Sequence, residues 1–375
     1  MKRTVLILVS CILFIKHVSA QKADSVKTFP FTVWGYADIY YAYDFNEPAN
    51  HIRNEMVNGN THVYSHNMHN QFALNHGIIG VTYQKERVRG AFAYQTGTYV
   101  RANYSAEPTI LQGVYEAYAG YQIHSKLWID AGVFASHIGA ESAISSDNLT
   151  LSRSMMADNT PYYETGVKLA YTPIDKLTLT ALVLNGWQNI EDHNSNKAIG
   201  TQIQYKPNTN ILLNYSTFYG KEAAAFETTA GMVSTDSVST QRFFNDFYAQ
   251  CSLSKKLTLL AAFDIGMQQK ITESGNYIWY NSNLILAYAI SKTFAVTARA
   301  EYYHDKNGVI IYPGTANGFQ TFSPSLGLDV KLSEQLIWRM EGRMFYSKDA
   351  VYLKHGTASH SDSFLMTSLA LKLKS

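Results

Sequence analysis

The chain has 375 residues, of which 46% are hydrophobic, 13% are aromatic and only 16% are charged. This composition excludes an intrinsically disordered chain, because disorder needs few aromatic residues and high polarity. Eight prolines and 23 glycines exclude a collagen-like fibre. After the N-terminus, no apolar run approaches the ~18 residues of a membrane-spanning helix. The 27 tyrosines suit surfaces where lipid meets water, since each has an apolar ring and a polar hydroxyl.

Residues 1–20 have the pattern of a cleavable export signal. Lys2 and Arg3 precede a short apolar stretch, and small residues close the segment at Ala20. Lipoprotein processing at Cys11 is less favoured, because the mature chain would then begin with apolar residues. Removing the signal takes away three basic residues and no acidic one, so the formal charge changes from +2 to −1. No basic patch remains, and no nucleic-acid partner is expected.

A period-two alternation of apolar and polar residues dominates the chain after residue 29. This period predicts β-strands with one apolar and one polar face. Alternating strands of ~9–11 residues are typical of barrels that cross an outer membrane, where one face contacts lipid and the other lines a lumen. The clearest stretches, in chain order, are residues 257–268, 294–303 and 337–344.

Seven short polar turns separate the predicted strands and alternate with eight longer loops, which together join sixteen strands. Short turns at one end and long loops at the other are typical of an outer-membrane barrel, and an even strand number lets it close. No composition break divides residues 21–375, which are therefore predicted to form one outer-membrane β-barrel domain. The predicted turns are residues 85–87, 125–126, 172–175, 206–208, 254–256, 291–293 and 333–335, and the longest loops are residues 46–68, 136–161, 221–241 and 347–361.

Aromatic residues gather near the ends of the predicted strands, where girdles would meet lipid head groups. A large secreted β-sandwich or β-solenoid would also show alternation. Sandwich strands, however, are commonly only ~5–6 residues long, and the strands predicted here are longer. The strand-end aromatic residues are Tyr41, Tyr43, Tyr99, Tyr104, Tyr162, Tyr163, Tyr302, Tyr303 and Tyr346.

Charged residues occupy the polar faces of several predicted strands in the C-terminal third. A lysine or arginine on the lipid face costs ~2–4 kcal/mol near the midplane, so these side chains are expected to face the lumen. There they would form a ladder of cross-strand ion pairs and set the field that filters solutes. The pore-lining candidates are Asp264, Arg299, Glu301, Asp329, Lys331, Arg339, Glu341 and Arg343.

Residues 136–161 form the third long loop, and a loop of this length is more often functional than a short connection is. In porins the third loop commonly folds inward and narrows the pore. The alternative is an outward loop that only caps the barrel. The candidates for a constriction are Glu141, Asp147, Arg153 and Asp158.

No catalytic or metal-binding template occurs in the sequence, which lacks G-x-S-x-G, H-E-x-x-H, P-loop and C-x-x-C patterns. Five histidines lie in the first loop and the strand after it. Their spacing is close to that of a helix, but on a loop or strand this spacing does not bring the imidazole rings together around one metal ion. They are expected to be solvated or hydrogen-bonded polar residues, and no enzyme, metal or cofactor is predicted. These histidines are His51, His62, His66, His69 and His76.

Several stretches resemble the OmpL-like β-barrel porin family of Gram-negative outer membranes, and the resemblance covers nearly the whole mature chain. It is most specific in the first half. It implies a porin-like outer-membrane barrel and leaves the solutes undefined. The stretches that carry it are residues 35–46 (GYADIYYAYDFN), 66–80 (HNMHNQFALNHGIIG), 95–108 (QTGTYVRANYSAEP), 131–144 (AGVFASHIGAESAI), 149–166 (LTLSRSMMADNTPYYETG), 184–188 (LNGWQ), 301–303 with 308–310, and 338–343 (WRMEGR).

One departure from the usual pattern lies at the C-terminal end of the sequence. Outer-membrane barrels usually end on an aromatic residue that helps recognition by the insertion machinery, whereas this sequence ends with residues 371–375 (LKLKS). Insertion machinery, outer-membrane lipid and lipopolysaccharide are still the expected partners. Sixteen strands are compatible with a homotrimer and equally with a monomer.

The favoured function is passive diffusion of small hydrophilic solutes through a water-filled lumen of mixed charge. The near-neutral mature chain predicts weak ion selectivity. One alternative is an outer-membrane barrel hydrolase acting at the rim, for which His137 and Asp147 would be the first residues to replace. The other is a binding or adhesion barrel, in which the loops carry the function and the lumen is plugged.

Overall fold

Residues 30–192, 194, 196–228 and 238–374 are described by a computed structural model. Within them, sixteen antiparallel strands form a closed barrel, in which every strand pairs with its neighbours in the chain and the last strand pairs with the first. The predicted all-β barrel of about sixteen strands is confirmed. The predicted export signal, residues 1–20, lies outside the described residues.

The barrel strands, with one small additional hairpin, follow one another along the chain. They are β1 (Phe31–Asp44), β2 (Phe72–Lys85), β3 (Val88–Thr96), β4 (Val114–His124), β5 (Leu127–Ala135), β6 (Tyr163–Ile174), β7 (Leu177–Leu184), β8 (Ala198–Asn208), β9 (Ile211–Glu222), β10 (Thr240–Ser252), β11 (Leu257–Gln269), β12 (Asn276–Ala289), β13 (Phe294–Asp305), β14 (Phe319–Lys331), β15 (Leu336–Ser347) and β18 (Ser361–Lys374), while β16 (Tyr352–Lys354) and β17 (Thr357–Ser359) form a separate two-stranded hairpin.

The connections alternate between short and long, as the sequence predicts. Turns of two to four residues join the strands at the periplasmic end, and loops of six residues or more join them at the extracellular end. The loops contain four short helices, which are α1 (Thr98–Asn103), α2 (Thr109–Gln112), α3 (Met155–Asp158) and α4 (Ala225–Thr228).

None of the helices among the described residues has the length and apolar character needed to cross a membrane.

The alternating sequence produces two chemically distinct faces of the barrel wall. On β11, Phe263 is exposed on the outer surface, whereas the next residue, Asp264, is fully buried inside. The same change occurs on β15 between Trp338, which is exposed, and Arg339, which is buried. Because successive side chains of a strand point to opposite faces, the period-two pattern places the apolar residues toward lipid.

Exposed aromatic side chains form a band on the outer surface near each end of the barrel, but not all of the predicted strand-end tyrosines belong to these bands. Tyr99, Tyr104, Tyr163 and Tyr303 are buried inside the barrel, so their assignment to a girdle is wrong. They lie on inward-facing strand positions or on loops that fold inward. Members of the bands include Phe72, Tyr94, Tyr219 and Tyr346 at the extracellular end, and Phe31, Tyr121, Tyr171, Tyr205, Tyr288 and Phe294 at the periplasmic end.

Candidate functional site

The third loop, which the structure places at residues 136–162, folds into the barrel. His137 fixes its beginning: imidazole Nδ1 lies 2.9 Å from the Glu164 carboxylate of β6, and Nε2 lies 2.8 Å from the carbonyl oxygen of Thr217 on β9. Both partners are acceptors, so the imidazolium form donates two hydrogen bonds. Burial lowers the pKa of His137, but the Glu164 charge and these hydrogen bonds outweigh burial and raise it.

The far part of the third loop is hydrogen-bonded to β13 and β15, across the barrel from its beginning. The backbone N–H of Ser152 donates to the Glu341 carboxylate at 2.6 Å. At the start of α3, the backbone N–H of Met155 donates to the Glu301 carboxylate at 3.0 Å. The loop therefore crosses the lumen and is held at both sides, as a constriction requires.

The two glutamates that hold the loop also form buried ion pairs. Arg343 pairs with Glu301, and Arg299 pairs with Glu341, so each pair links β13 to β15 across β14. Arg299 additionally donates to the carbonyl oxygen of Ser152 at 3.0 Å. Buried ion pairs are tolerated when their remaining donors and acceptors are also satisfied. Here the loop backbone supplies several of those partners, while Nε of Arg299 has none among the described residues.

A third arginine holds the deepest part of the loop. Arg339 forms a two-pronged pair with Asp329, with both N–O distances 2.8 Å, and donates to the carbonyl oxygen of Ser145 at 2.6 Å. Ser145 begins a short 3-10 turn that includes Asp147, which pairs with Lys372 on β18. The loop thus descends to the periplasmic half of the wall. We call the inner faces of β13, β14 and β15 the paired wall.

Asp38 on β1 is a further attachment point that the sequence analysis did not single out. The Ser145 hydroxyl donates to its carboxylate at 2.8 Å, His66 Nε2 lies 2.8 Å from the same oxygen, and Ser368 donates to the other oxygen. The Ser65 hydroxyl lies 2.9 Å from His66 Nδ1. These five residues are buried, so the Ser–His–Asp contact joins loops to the wall rather than opening onto solvent.

The constriction candidates Glu141, Arg153 and Asp158 lie inside the loop. The Arg153 guanidinium is stacked between the rings of Tyr99 and Tyr162, at 4.1 and 4.2 Å, and lies 3.7 Å from Asp158. Burial raises the pKa of Asp158 against the opposing Arg153 charge. Glu141 accepts from the Ser154 hydroxyl, which caps α3. These three candidates therefore give the loop its internal structure.

The pore-lining candidates divide into three groups in the structure. Arg299, Glu301, Arg339, Glu341 and Arg343, together with Asp329, meet around the third loop. Asp264 lies elsewhere in the lumen, opposite Asp246 of β10.

Lys331 departs from the expected ladder. It lies at the periplasmic end of β14, where its half-exposed side chain pairs with the turn residue Glu334 at 3.1 Å.

Three charged residues of the lumen were not predicted from the sequence, and these are Asp38, Glu164 and Asp246. Extending the alternation from neighbouring residues would have placed these three on inward faces.

The first loop (residues 45–71) also folds inward and covers the third loop. His62 is buried against the rings of Phe319 and Phe345, with centroid distances of 4.8 and 5.4 Å, and burial lowers its pKa to about 3. Its carbonyl oxygen accepts from Asn159 of the third loop at 3.0 Å. The loop histidines His62, His66 and His69 are thus packed rather than solvated. Among the described residues, no three His, Cys, Asp or Glu side chains come together as a metal-ion site.

The third loop separates cavities at the two ends of the barrel. On the extracellular side, a cavity of about 290 Å³ is lined by Asp158 of the loop and by Tyr64 and Trp187, among others. On the periplasmic side, Ser146 of the same loop lines a cavity of about 150 Å³ beside Lys372. Residues of the third loop therefore line both cavities.

Residues 30–373 match the family described as "Putative beta-barrel porin-2, OmpL-like". A search of curated proteins finds no match to the sequence.

The fold is similar to solved porin-like barrels. An anion-selective porin from Comamonas acidovorans is 10% identical, with a TM-score of 0.59 over 92% of this chain and 99% of that one. The outer-membrane channel DcaP of Acinetobacter baumannii is 9% identical, with a TM-score of 0.60 over 92% and 97%. A trimer form of OmpT from Vibrio cholerae is 7% identical, with a TM-score of 0.57 over 92% and 99%.

At sequence identities of 7–10%, the structural similarity shows that the fold is shared and nothing more. The family match covers nearly the whole chain and agrees with the closed sixteen-stranded barrel. The chain belongs to the OmpL-like β-barrel porin-2 family and is an outer-membrane porin.

Proposed function

We propose that small hydrophilic solutes diffuse passively between the third loop and the barrel wall, and that this loop sets the size limit. The observation that carries the proposal is the attachment of Ser152 and Met155, near the end of the loop, to Glu341 and Glu301 on the paired wall. A loop held at both sides of a lumen narrows the aqueous path. It also lines that path with hydrogen-bonding groups.

The charge arrangement supports weak ion selectivity. At the paired wall, Arg299 and Arg343 are paired with Glu341 and Glu301. Each pair has no net charge, so the field at the paired wall has no dominant sign. This agrees with the small formal charge expected for the chain after removal of residues 1–20.

Conductance of the purified protein in planar bilayers tests the proposal. We expect stepwise openings, with cation and anion permeabilities that differ by less than about tenfold. A variant in which residues 140–158 are replaced by a short Gly-Ser linker should conduct several-fold more, because the obstruction is removed. Asp175→Asn, at an exposed periplasmic turn, is the control and should conduct like the native protein. A tight seal at all voltages, from protein shown to be folded, would contradict diffusion.

A closed binding barrel is the second candidate function, and the burial of the third loop favours it. Residues Ser145, Leu151, Ser154 and Met155 are almost fully enclosed by the wall and the first loop. The conductance experiment separates the two candidates. If the barrel is closed, the native protein should show no conductance, whereas the variant without residues 140–158 should conduct.

We further propose that the chain is not an enzyme. What supports this is that the Ser65, His66 and Asp38 side chains are buried and committed to wall and loop contacts. His137, weighed for a hydrolase, is likewise held by Glu164. Hydrolysis of ester, peptide or glycan probes that is lost in Asp38→Asn, with the barrel still folded, would overturn this proposal.

The remaining proposals concern export and assembly. We propose cleavage of the signal at residues 1–20, contact of the barrel with outer-membrane lipid and lipopolysaccharide, and insertion by the barrel-assembly machinery. A homotrimer is proposed because one solved barrel of similar fold is a trimer. N-terminal sequencing of the mature protein tests the first proposal, and the mass of the detergent-solubilised protein tests the last.

A further inference from the structure

The inner faces of β10, β11 and β12 have a chemistry unlike that of the paired wall. Asp246, Asp264 and Asn281 lie directly opposite one another on adjacent strands, in a single row across the wall. Their exposures are 0%, 0% and 2%. We call this row the acidic wall.

The acidic wall has unsatisfied acceptors. Among the described residues, Oδ1 of Asp246, both carboxylate oxygens of Asp264, both amide atoms of Asn281 and Oδ1 of the nearby Asn283 are buried without a hydrogen-bond partner. Five of these six atoms are oxygens. Buried polar groups normally have partners, so an oxygen-rich cluster of this kind requires donors or a cation.

The acidic wall also lacks a counter-charge among the described residues. Asp246 accepts from the Asn214 amide at 2.9 Å, but that donor is neutral. The charge of His137 acts on Asp246, but His137 is already paired with Glu164. Neither Asp246 nor Asp264 forms an ion pair with lysine or arginine in the described part of the chain.

Two buried carboxylates without a counter-ion are strongly unfavourable. One proton shared between Asp246 and Asp264 would supply a single donor and leave most of the oxygens unpaired. A divalent cation balances two carboxylates, and hard cations such as Ca²⁺ bind six to eight carboxylate, amide and water oxygens. A site with two carboxylates and amide oxygens satisfies this chemistry without the third His, Cys, Asp or Glu that transition metals favour.

We propose that Asp246, Asp264 and the amide oxygen of Asn281 bind one Ca²⁺ ion between the acidic wall and the beginning of the third loop. The loop backbone at Gly139 lies against Asp246. Gly139 has φ +90°, a conformation that favours glycine. The ion therefore fastens the side of the loop that lies opposite the paired wall.

Calcium binding by the folded protein in detergent tests the proposal. After treatment with EDTA and dialysis against Ca²⁺, we expect about one tightly held Ca²⁺ per chain by elemental analysis and an increase in the unfolding midpoint Tm relative to EDTA. The double variant Asp246→Asn with Asp264→Asn should lose both the bound ion and the Tm shift. Asp175→Asn, at an exposed periplasmic turn, is the matched control and should keep both.

A second variant guards against a folding defect. Asn281→Ala keeps both carboxylates and removes one oxygen, and it should weaken Ca²⁺ binding at least tenfold while the barrel still migrates as folded in unheated gels. The proposal is overturned if native protein holds no Ca²⁺ and has the same Tm in Ca²⁺ and EDTA. It is equally overturned if the double variant binds as much Ca²⁺ as native protein does. None of these measurements uses conductance, so their outcome does not depend on whether the proposed porin function is correct.

Discussion

The paired wall and the acidic wall lie in the same lumen and arise from the same alternating sequence pattern. They differ in whether their buried charged side chains are paired with opposite charges. At the paired wall, Arg299 and Arg343 neutralise Glu341 and Glu301, and backbone N–H groups of the third loop donate to both glutamates. At the acidic wall, Asp246 and Asp264 lie opposite each other, and neither forms an ion pair with a lysine or arginine in the part of the chain that the structure describes.

This difference shows that the environment of a charged side chain in the lumen depends more on its ion-pair and hydrogen-bond partners than on its position on a strand. Arg339 and Asp264 both occupy inward positions on strands of similar pattern. The first is surrounded by acceptors from Asp329 and the third loop, whereas the second has two unpartnered oxygens. Loss of charge should therefore have opposite consequences at the two walls.

The largest effect is expected for Glu341→Gln at the paired wall. The change leaves the buried Arg299 without its counter-charge, which typically costs about 3–5 kcal/mol of the free energy of unfolding. It also weakens the Ser152 contact, so the conductance should increase. Urea unfolding followed by tryptophan fluorescence and single-channel recording measure the two effects. Glu334→Gln in an exposed turn is the control, and an equal loss there would show that the paired wall has no special role.

A smaller effect is expected from acidification, through His62 against Phe319 and Phe345 of the paired wall. Its folded pKa of about 3 lies below the ordinary value of 6.5. The unfolded chain therefore takes up a proton first, and stability that is complete above pH 6.5 declines as the pH falls toward 3. At pH 5 the loss should be about 2 kcal/mol. His62→Phe should remove this part of the pH dependence, and an unchanged pH profile in that variant would contradict it.

On the side of the acidic wall, His137 should respond to pH in the opposite direction. Its folded pKa is raised, so the stability from its pair with Glu164 is complete below the unfolded value of ~6.5 and is lost as the pH rises through the folded pKa. Conductance should therefore become noisier as the pH is raised from 6 to 9, because the beginning of the third loop is released. His137→Gln should be noisy at every pH. A quiet recording from that variant would rule out this anchoring role.

The smallest change is expected for Asp264→Asn in EDTA. Removing an uncompensated buried charge should leave the free energy of unfolding unchanged or slightly increased, in contrast to the loss expected for Glu341→Gln. Unfolding of the two variants side by side measures the contrast. A loss of about 3 kcal/mol or more in Asp264→Asn would mean that its carboxylate has a stabilising partner without any added cation.

The strand number, the turns and the direction of most charged side chains could be predicted from the sequence, because each depends on local alternation. The path of the third loop could not be derived from the residues. Contacts such as Ser152 with Glu341 join residues 189 positions apart, and no local period encodes them. For the same reason the histidine spacing did not reveal that His62 would be buried beneath aromatic rings.

The tyrosines show the same limit of prediction from local sequence. Its abundance correctly indicated an interface with lipid, but Tyr104 and Tyr163 stack on each other inside the barrel at 4.1 Å. Composition reports what a side chain tolerates, while long-range packing decides which of two suitable environments it occupies. The inward charges were predictable as a class for this reason, and their individual partners were not.

The Asp38 attachment has a consequence for biogenesis. Asp38 lies on the first strand, Ser368 on the last, and Ser145 in the third loop, and all three meet on the inside of the seam where β1 pairs with β18. Translation supplies Ser368 only after nearly all of the chain has been made. The shared attachment of Ser145 and Ser368 to Asp38 is therefore complete only when the first and last strands have joined. Closure of the barrel thus completes one of the attachments of the third loop.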